Sequence, residues 1–481
     1  MTSLNIVLLP SLALTLAIAG CATRSTANFK DVEQTVNSRT GQNIKWPGNK
    51  AEKERSDSLV AELLKTNLTA ETVVQVTLLN NRSLRATLEQ IGISQSEVVQ
   101  AGLLPNPNFS ASVRLPDRPP SGANSEFSLS GEFLDLLLVP LRKRVARAQY
   151  EQTKLKVSHE ILQMTTEAKI LFYTVQARQQ FIHRLQAVLE INEAAMDLSQ
   201  RQHDAGNISE LDLASQRGSF QQAHLELVRA QAQLRADRER LNRLLGVSGK
   251  NLEWKVGELP ALPEKEIDFA DLEKLAASQR LDLAAAENQS ALAARALSLR
   301  SKTRYLPASV RLGVDTEHDP SHTQLTGPTL DLELPIFDQG QGAIGRLQAQ
   351  QRQAQFLVEA LMNDIHSEVR QARDAMMAAR ELAQFYSSAY LPQQIRIVGE
   401  TLIQYNAMHK SPFDLIAAKE RELHAEREYT EAWRDYWVAH AELEKAVGGR
   451  LPQTLLTGGA KADPLHTQQQ NSETDLPHEH K

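Results

Sequence analysis

Two hydrophobic periods alternate along this chain, one of two residues and one close to 3.6. In the first pair of two-residue runs, Phe109, Ala111, Val113 and Leu115 alternate with Ser110, Ser112 and Arg114. After a stretch rich in Pro, Phe127, Leu129 and Phe133 alternate with Ser128, Ser130 and Glu132. A second pair repeats the pattern: Val310, Leu312 and Val314 with Arg311, Gly313 and Asp315, then Leu330, Leu332 and Leu334 with Asp331 and Glu333. Each pair predicts a β-hairpin with one apolar and one polar face. A membrane β-barrel, apolar side to lipid and polar side to a wet lumen, carries this signature, and so does an ordinary sheet with one solvated face. The barrel is the preferred reading, because the neighbouring helical segments are too long to cover a short hairpin.

The 3.6-residue period occupies nearly everything else. A helix over 70–103 is expected to stop at Pro105 and Pro107, where the amide donor is lost. After each hairpin, residues 141–202 and 343–405 read as uninterrupted helices, each about 95 Å long at 1.5 Å per residue. Ile161, Ala168 and Val175 recur at seven, and Leu361, Ile365, Val369, Ala372 and Met376 at three or four, which is a narrow coiled-coil seam. Short tips at 204–209 and 408–412 then turn each chain back into a second helix, over 210–245 and 413–447. Two antiparallel helical hairpins result.

The elements recur in one register. Asp212 falls on Asp414, Gly246 on Gly448 and Pro105 on Pro307, all at a shift of 202. Near the second strand the match slips by about three residues, Arg147 meeting Arg346. The fold class is therefore mainly α with membrane β, in two tandem repeats over 70–250 and 267–450, each a β-hairpin plus long antiparallel helices. Four strands cannot close a barrel, and open edges are not tolerated in hydrocarbon. Two copies would supply eight strands and three copies twelve, with the wider lumen.

Composition narrows the function classes. Only 5% of residues are aromatic, and 53 basic and 59 acidic residues are mixed to a net charge of −6, with no footprint for nucleic acid. Residues 1–20 read as a signal peptide ending in Ile18-Ala19-Gly20 before Cys21, the sole cysteine, which is positioned for lipidation; residues 21–69 would be the anchored segment. The leader lacks the usual positive charge, since Met1 to Asn5 contain no Lys or Arg. No run of 18 apolar residues follows, so any membrane crossing must be made of strands. No nucleophile, metal triad or phosphate loop appears, so neither an enzyme nor a cofactor is expected. His159-Glu160 lacks the second His of a zinc-protease motif. Glu317, His318, Asp319 and His322 are assigned to the second hairpin's loop, where a loose metal site is a minor alternative to a solvated loop. Residues 451–481 read as a disordered tail in which His466, His478 and His480 suit metal ions.

Residues 68–112 (LTAETVVQVTLLNNRSLRATLEQIGISQSEVVQAGLLPNPNFSAS) resemble the opening helix and first strand of the TolC-type outer membrane efflux proteins. Residues 332–355 (LELPIFDQGQGAIGRLQAQQRQAQ) resemble that family's second strand and long helix, and the likeness extends over nearly all of 21–450. It implies a homotrimer with a 12-stranded outer-membrane barrel continuous with a periplasmic helical tunnel. The duct would dock on a periplasmic adaptor and an inner-membrane pump, expected to be of the RND type. It further implies that Tyr405 and Lys410 bind Asp212 to hold the periplasmic mouth shut, and that Asp414 forms an acidic ring favouring cations. Asp212 and Asp414 also fit plain helix N-terminal acids. Two departures stand out: Met408 replaces the glycine that Gly206 keeps at the first tip, so a differently shaped second turn is expected, and Ala417 replaces a second ring aspartate. The overall look is closer to the metal-efflux branch (CusC- and CzcC-like), with organic cargo left open. A periplasmic coiled-coil adaptor that forms no pore is the alternative.

Overall fold

The computed structural model describes residues 29–43, 45–115, 117–118, 122–257, 259–260, 262–263, 271–307, 309–319, 321 and 323–451. The expected signal peptide, Cys21, His322 and the tail with His466, His478 and His480 lie outside the described residues. In chain order the elements are α1 (Lys30–Thr40), α2 (Lys50–Leu63), β1 (Asn67–Leu68), α3 (Ala70–Asn80), α4 (Arg82–Gln100), β2 (Asn108–Arg114), β3 (Asn124–Glu132), α5 (Phe133–Asp204) and α6 (Glu210–Leu245). They continue with β4 (Lys255–Val256), α7 (Leu272–Gln279), α8 (Leu281–Lys302), β5 (Val310–His318), β6 (Gln324–Leu332), α9 (Gln341–Phe385), α10 (Leu391–Asn406) and α11 (Pro412–Val447). None of the described helices is long and apolar enough to cross a membrane.

The chain divides into two compact units. The first contains residues 86–154 and 291–351 and is built on a four-stranded antiparallel sheet of order β2-β3-β5-β6. Its register sorts side chains by face. Phe109, Leu129, Val314 and Pro328 share one row, as do Ala111, Phe127, Thr316 and Thr326. The opposite face carries Ser110, Ser128 and Asp315 in one row and Ser112, Glu126 and Glu317 in another. Polar groups on that face pair across strands: Ser110 with Ser128 at 2.8 Å, Asn124 Nδ2 donating to Glu317 at 2.8 Å, and Arg311 with Glu132 at 3.0 Å. The apolar face is uncovered, with Phe109, Leu129, Val314 and Leu330 all exposed. Within the sheet, β2 and β6 each have a single strand neighbour.

Several boundaries differ from the sequence reading. Phe133 opens α5 instead of ending β3, and the helix runs through Pro140. Glu317 and His318 belong to β5, paired with Glu126 and Ser125, not to the hairpin loop. Consecutive strand residues point to opposite faces, so these two cannot jointly hold a metal. Among the described residues no group of three metal-ligating side chains occurs.

The second unit contains residues 32–85, 155–290 and 352–451 of the described chain. Ile161, Ala168 and Val175 of α5 are buried, as are Ile365, Val369 and Met376 of α9, which pack with Tyr436, Leu443 and Val447 of α11. Helix α5 is tied on two sides. Ile182 and Leu185 pack on Leu227 and Ala230 of α6, where Arg178 also pairs with Asp237 at 2.7 Å. On the other side Lys169 pairs with Glu444 and Arg184 with Glu426 of α11.

The helix expected over 70–103 is broken at Asn81. That residue's Nδ2 donates to the Leu244 carbonyl at 2.7 Å, and its Oδ1 accepts the Leu84 amide at 3.0 Å. The second half breaks at Arg280, whose φ −65° and ψ 120° match the −67° and 122° of Asn81. Arg280 likewise reaches a terminal helix carbonyl, that of Ala446 at 3.3 Å. Gly246 and Gly448, both left-handed, end α6 and α11 against these breaks. A Cβ on Gly246 would lie 2.7 Å from the Asn80 carbonyl oxygen, and one on Gly448 3.1 Å from the Arg280 amide. The helix expected over 343–405 is interrupted by a π turn, Tyr386–Tyr390, just before Pro392. Proline lacks the amide and its ring presses on the carbonyl four residues back, so the helix widens there. Ser387 and Ser388 both donate their hydroxyls to the Gln384 carbonyl. Two helices the sequence reading lacks, α1 and α2, occupy the segment before residue 69. Trp46 Nε1 of that segment donates to the Leu78 carbonyl at 2.9 Å.

Candidate functional site

Both tips of the helical hairpins lie in the second unit, and both are built the same way. At the first, Gly206 (φ +75°) donates its amide to the His203 carbonyl and Asn207 to that of Gln202, each at 2.8 Å. At the second, Met408 (φ +59°) donates to Tyr405 and His409 to Gln404, each at 2.9 Å. These are the paired bonds of a left-handed helix stop. The expected difference in turn shape is therefore corrected: Met408 adopts the glycine conformation. Its side chain is 93% exposed and meets no clash, so only the local cost of about 1 kcal/mol for a left-handed L-residue stands against the turn.

The next residue pair starts each return helix. Ser209 Oγ accepts the Asp212 amide at 3.2 Å and donates to its carboxylate at 2.7 Å, and the Ser209 amide donates to the same carboxylate at 3.2 Å. Ser411 and Asp414 repeat the box at 3.2, 2.9 and 2.9 Å, followed by Pro412 in the first helical position. Side-chain and backbone hydrogen bonds from Ser209 hold the Asp212 carboxyl below its ordinary range. For Asp414 the Ser411 backbone bond leads, then its hydroxyl, with the Lys410 charge adding to the effect. Among the described residues no hydrogen bond or ion pair joins Tyr405 or Lys410 to Asp212, and Tyr405 is exposed near the end of α10.

The structure adds residues at the first tip that the sequence reading passed over. His203 Nε2 lies 3.1 Å from a Glu210 carboxylate oxygen, and Arg217 donates to Gln200 at 2.6 Å, so both pairs bridge α5 and α6. Tyr405, Pro412 and Lys419 stand at the corresponding positions of the second tip, which lacks these bridges among the described residues. Their signal is only that α5 and α6 are antiparallel around a short turn, which makes residues equally distant from it neighbours.

Comparison with known proteins points one way. Residues 73–247 match the model of the outer membrane efflux protein family. The cobalt-zinc-cadmium resistance protein CzcC of Cupriavidus metallidurans is 22% identical over 391 residues, covering 79% of this chain and 90% of its own. Among solved structures, the Campylobacter jejuni CmeC outer membrane channel superposes with a TM-score of 0.67 at 17% identity, over 80% of this chain and 86% of that one. CusC, whose structures concern transmembrane channel formation, superposes at 0.66 and 16% identity, over 80% and 93%.

Proposed function

We propose that the chain is a member of the outer membrane efflux protein family and the passive exit duct of a tripartite efflux system. The observation that carries this reading is the sheet, apolar on one face, charged on the other, and with both edge strands open. In hydrocarbon every edge must be paired, so identical copies would close the barrel, three of them giving twelve strands. A periplasmic adaptor and an inner-membrane pump of the RND type would complete the system. The purified protein should run in detergent as a heat-sensitive trimer and form ion-conducting pores in planar bilayers; a soluble monomer without conductance would overturn the reading in favour of a scaffold.

In this duct the tips form the periplasmic mouth. Tyr405 and Lys410 would bind Asp212 of another hairpin to keep it shut, and three copies of Asp414 would line it with acid. Tyr405→Phe with Lys410→Ser should raise conductance, and unchanged conductance would refute the gate. Asp414→Asn should lower cation selectivity. Cys21 would carry the lipid anchor, so labelled palmitate should enter the parent protein and not Cys21→Ser. The likeness to CzcC and the acidic mouth favour metal ions as cargo. A deletion strain should become sensitive to one or more of copper, silver, zinc and cobalt, whereas sensitivity to dyes alone would assign organic cargo.

A further inference from the structure

Below the sheet in chain order, the first unit holds a groove of about 940 Å³ lined by the ends of α4, α5 and α8. Its walls include Leu104, Leu134, Leu138, Leu141, Leu299 and Leu306. The exposed Arg142 and Arg300 also line it, and Glu97 is its one acidic lining group. Arg142 pairs with Asp135 at 3.1 Å. Arg300 has no carboxylate partner among the described residues and lies against the backbone of Gly340, where an added Cβ would come within 2.7 Å of its guanidinium. Residues 141–150 and 291–307 together carry eight Lys and Arg and no Asp or Glu, opposite in sign to the chain's net charge of −6. Beside this basic belt stand exposed Phe133, Leu137, Tyr305, Ile336 and Phe337, continuous in sequence with strands whose apolar face is uncovered.

Fixed cations next to an apolar trough and an aromatic fringe match one kind of molecule, an amphiphile with an anionic head and long hydrocarbon chains. We propose that this groove binds an anionic phospholipid of the outer membrane's periplasmic leaflet. Its acyl chain lies along the leucine wall, and its phosphate is held by Arg142 and Arg300. The proposal rests on the reading that the sheet enters the membrane. Charge complementarity decides against a second copy of this chain as occupant, since apolar contact alone would leave Arg300 buried without a counter-charge.

The test uses the full-length protein, delipidated in detergent and returned to nanodiscs of phosphatidylglycerol or phosphatidylcholine, with retained lipid counted by native mass spectrometry. Phosphatidylglycerol should be retained at one per protomer and phosphatidylcholine far less. Arg142→Gln with Arg300→Gln should reduce phosphatidylglycerol retention about tenfold, equivalent to about 1.4 kcal/mol. Leu138→Trp, which fills the trough, should reduce it without altering the arginines, and an unchanged melting temperature in each variant excludes misfolding. Equal retention in parent and variants, no preference between the lipids, or an occupant consisting only of the acyl groups attached at Cys21 would each overturn the proposal. Vesicle flotation separates the premise from the inference. If no variant enters vesicles, the membrane reading falls and the proposal with it; if all enter and retain lipid alike, only the groove assignment falls.

Discussion

Met408 holds a left-handed backbone with its side chain in solvent, in a turn whose twin uses Gly206. The turn bonds are the same at both tips, so within the turn itself Met408 differs from Gly206 only in local conformational preference. Met408→Gly should therefore stabilise the second tip by about 1 kcal/mol, and Gly206→Ala should weaken the first by a similar amount, read by amide exchange at the two turns. The capping carboxylates make a pH prediction at the same places. Asp212 and Asp414 are held below their ordinary range in the folded chain. Their contribution is complete above the unfolded value near 4 and is lost as pH falls through the lowered folded value. Exchange protection at 209–214 and 411–416, corrected for the slower intrinsic exchange in acid, should fall on acidification from pH 5, and Asp212→Asn should remove that dependence at the first tip only. Both aspartates were legible as helix N-terminal acids, and the serines that complete each capping box came from the structure. The His203–Glu210 bridge was not legible, since it depends on how two helices meet across the turn.

The break at Arg280 joins three helices. Its guanidinium donates bidentately to Asp282 at 2.9 and 2.6 Å, and to Glu368 of α9 and the Ala446 carbonyl of α11. The side chain is 8% exposed. Burial opposes its charge, but the hydrogen bonds it donates to both carboxylates override this and leave the arginine more firmly protonated than usual. Removing it strands Asp282, so Arg280→Gln should cost about 3 kcal/mol in unfolding free energy, and Arg280→Lys should not rescue it because a single ammonium cannot supply the fork. Gly448→Ala should also destabilise, by about 1 to 3 kcal/mol, through the left-handed backbone and the close approach to Arg280. The break at Asn81 escaped the sequence reading for a physical reason. The apolar period of 70–103 continues through it, and the Leu244 carbonyl that holds Asn81 is far away in sequence. The π turn had a visible cause in Pro392, but its form depends on the competition of Ser387 and Ser388 for one carbonyl. Amide exchange at 386–390 should exceed that at 172–175 of the unbroken α5.

Over the whole molecule, the alternating runs by themselves determined where the four sheet strands lie and which of their residues share a face, because a period of two leaves no choice of side. The long apolar seams likewise determined the two antiparallel helical hairpins and the short tips at which they turn back. Tertiary structure alone decided that β3 pairs with β5, joining the two hairpins into one sheet, since no local pattern specifies which strand becomes a neighbour. It also decided that Glu317 and His318 extend β5, where their opposite faces prevent a shared metal site, and that the segment before residue 69 folds into helices held by Trp46. At the tips, the sequence supplied the turns, and the structure added the serine caps and the His203–Glu210 bridge. The distinction follows the range of the forces involved. Periodicity, capping and backbone preference act within a few residues and can be read along the chain, while strand partnership, helix breaks and charge pairing are settled only by what distant segments bring into contact.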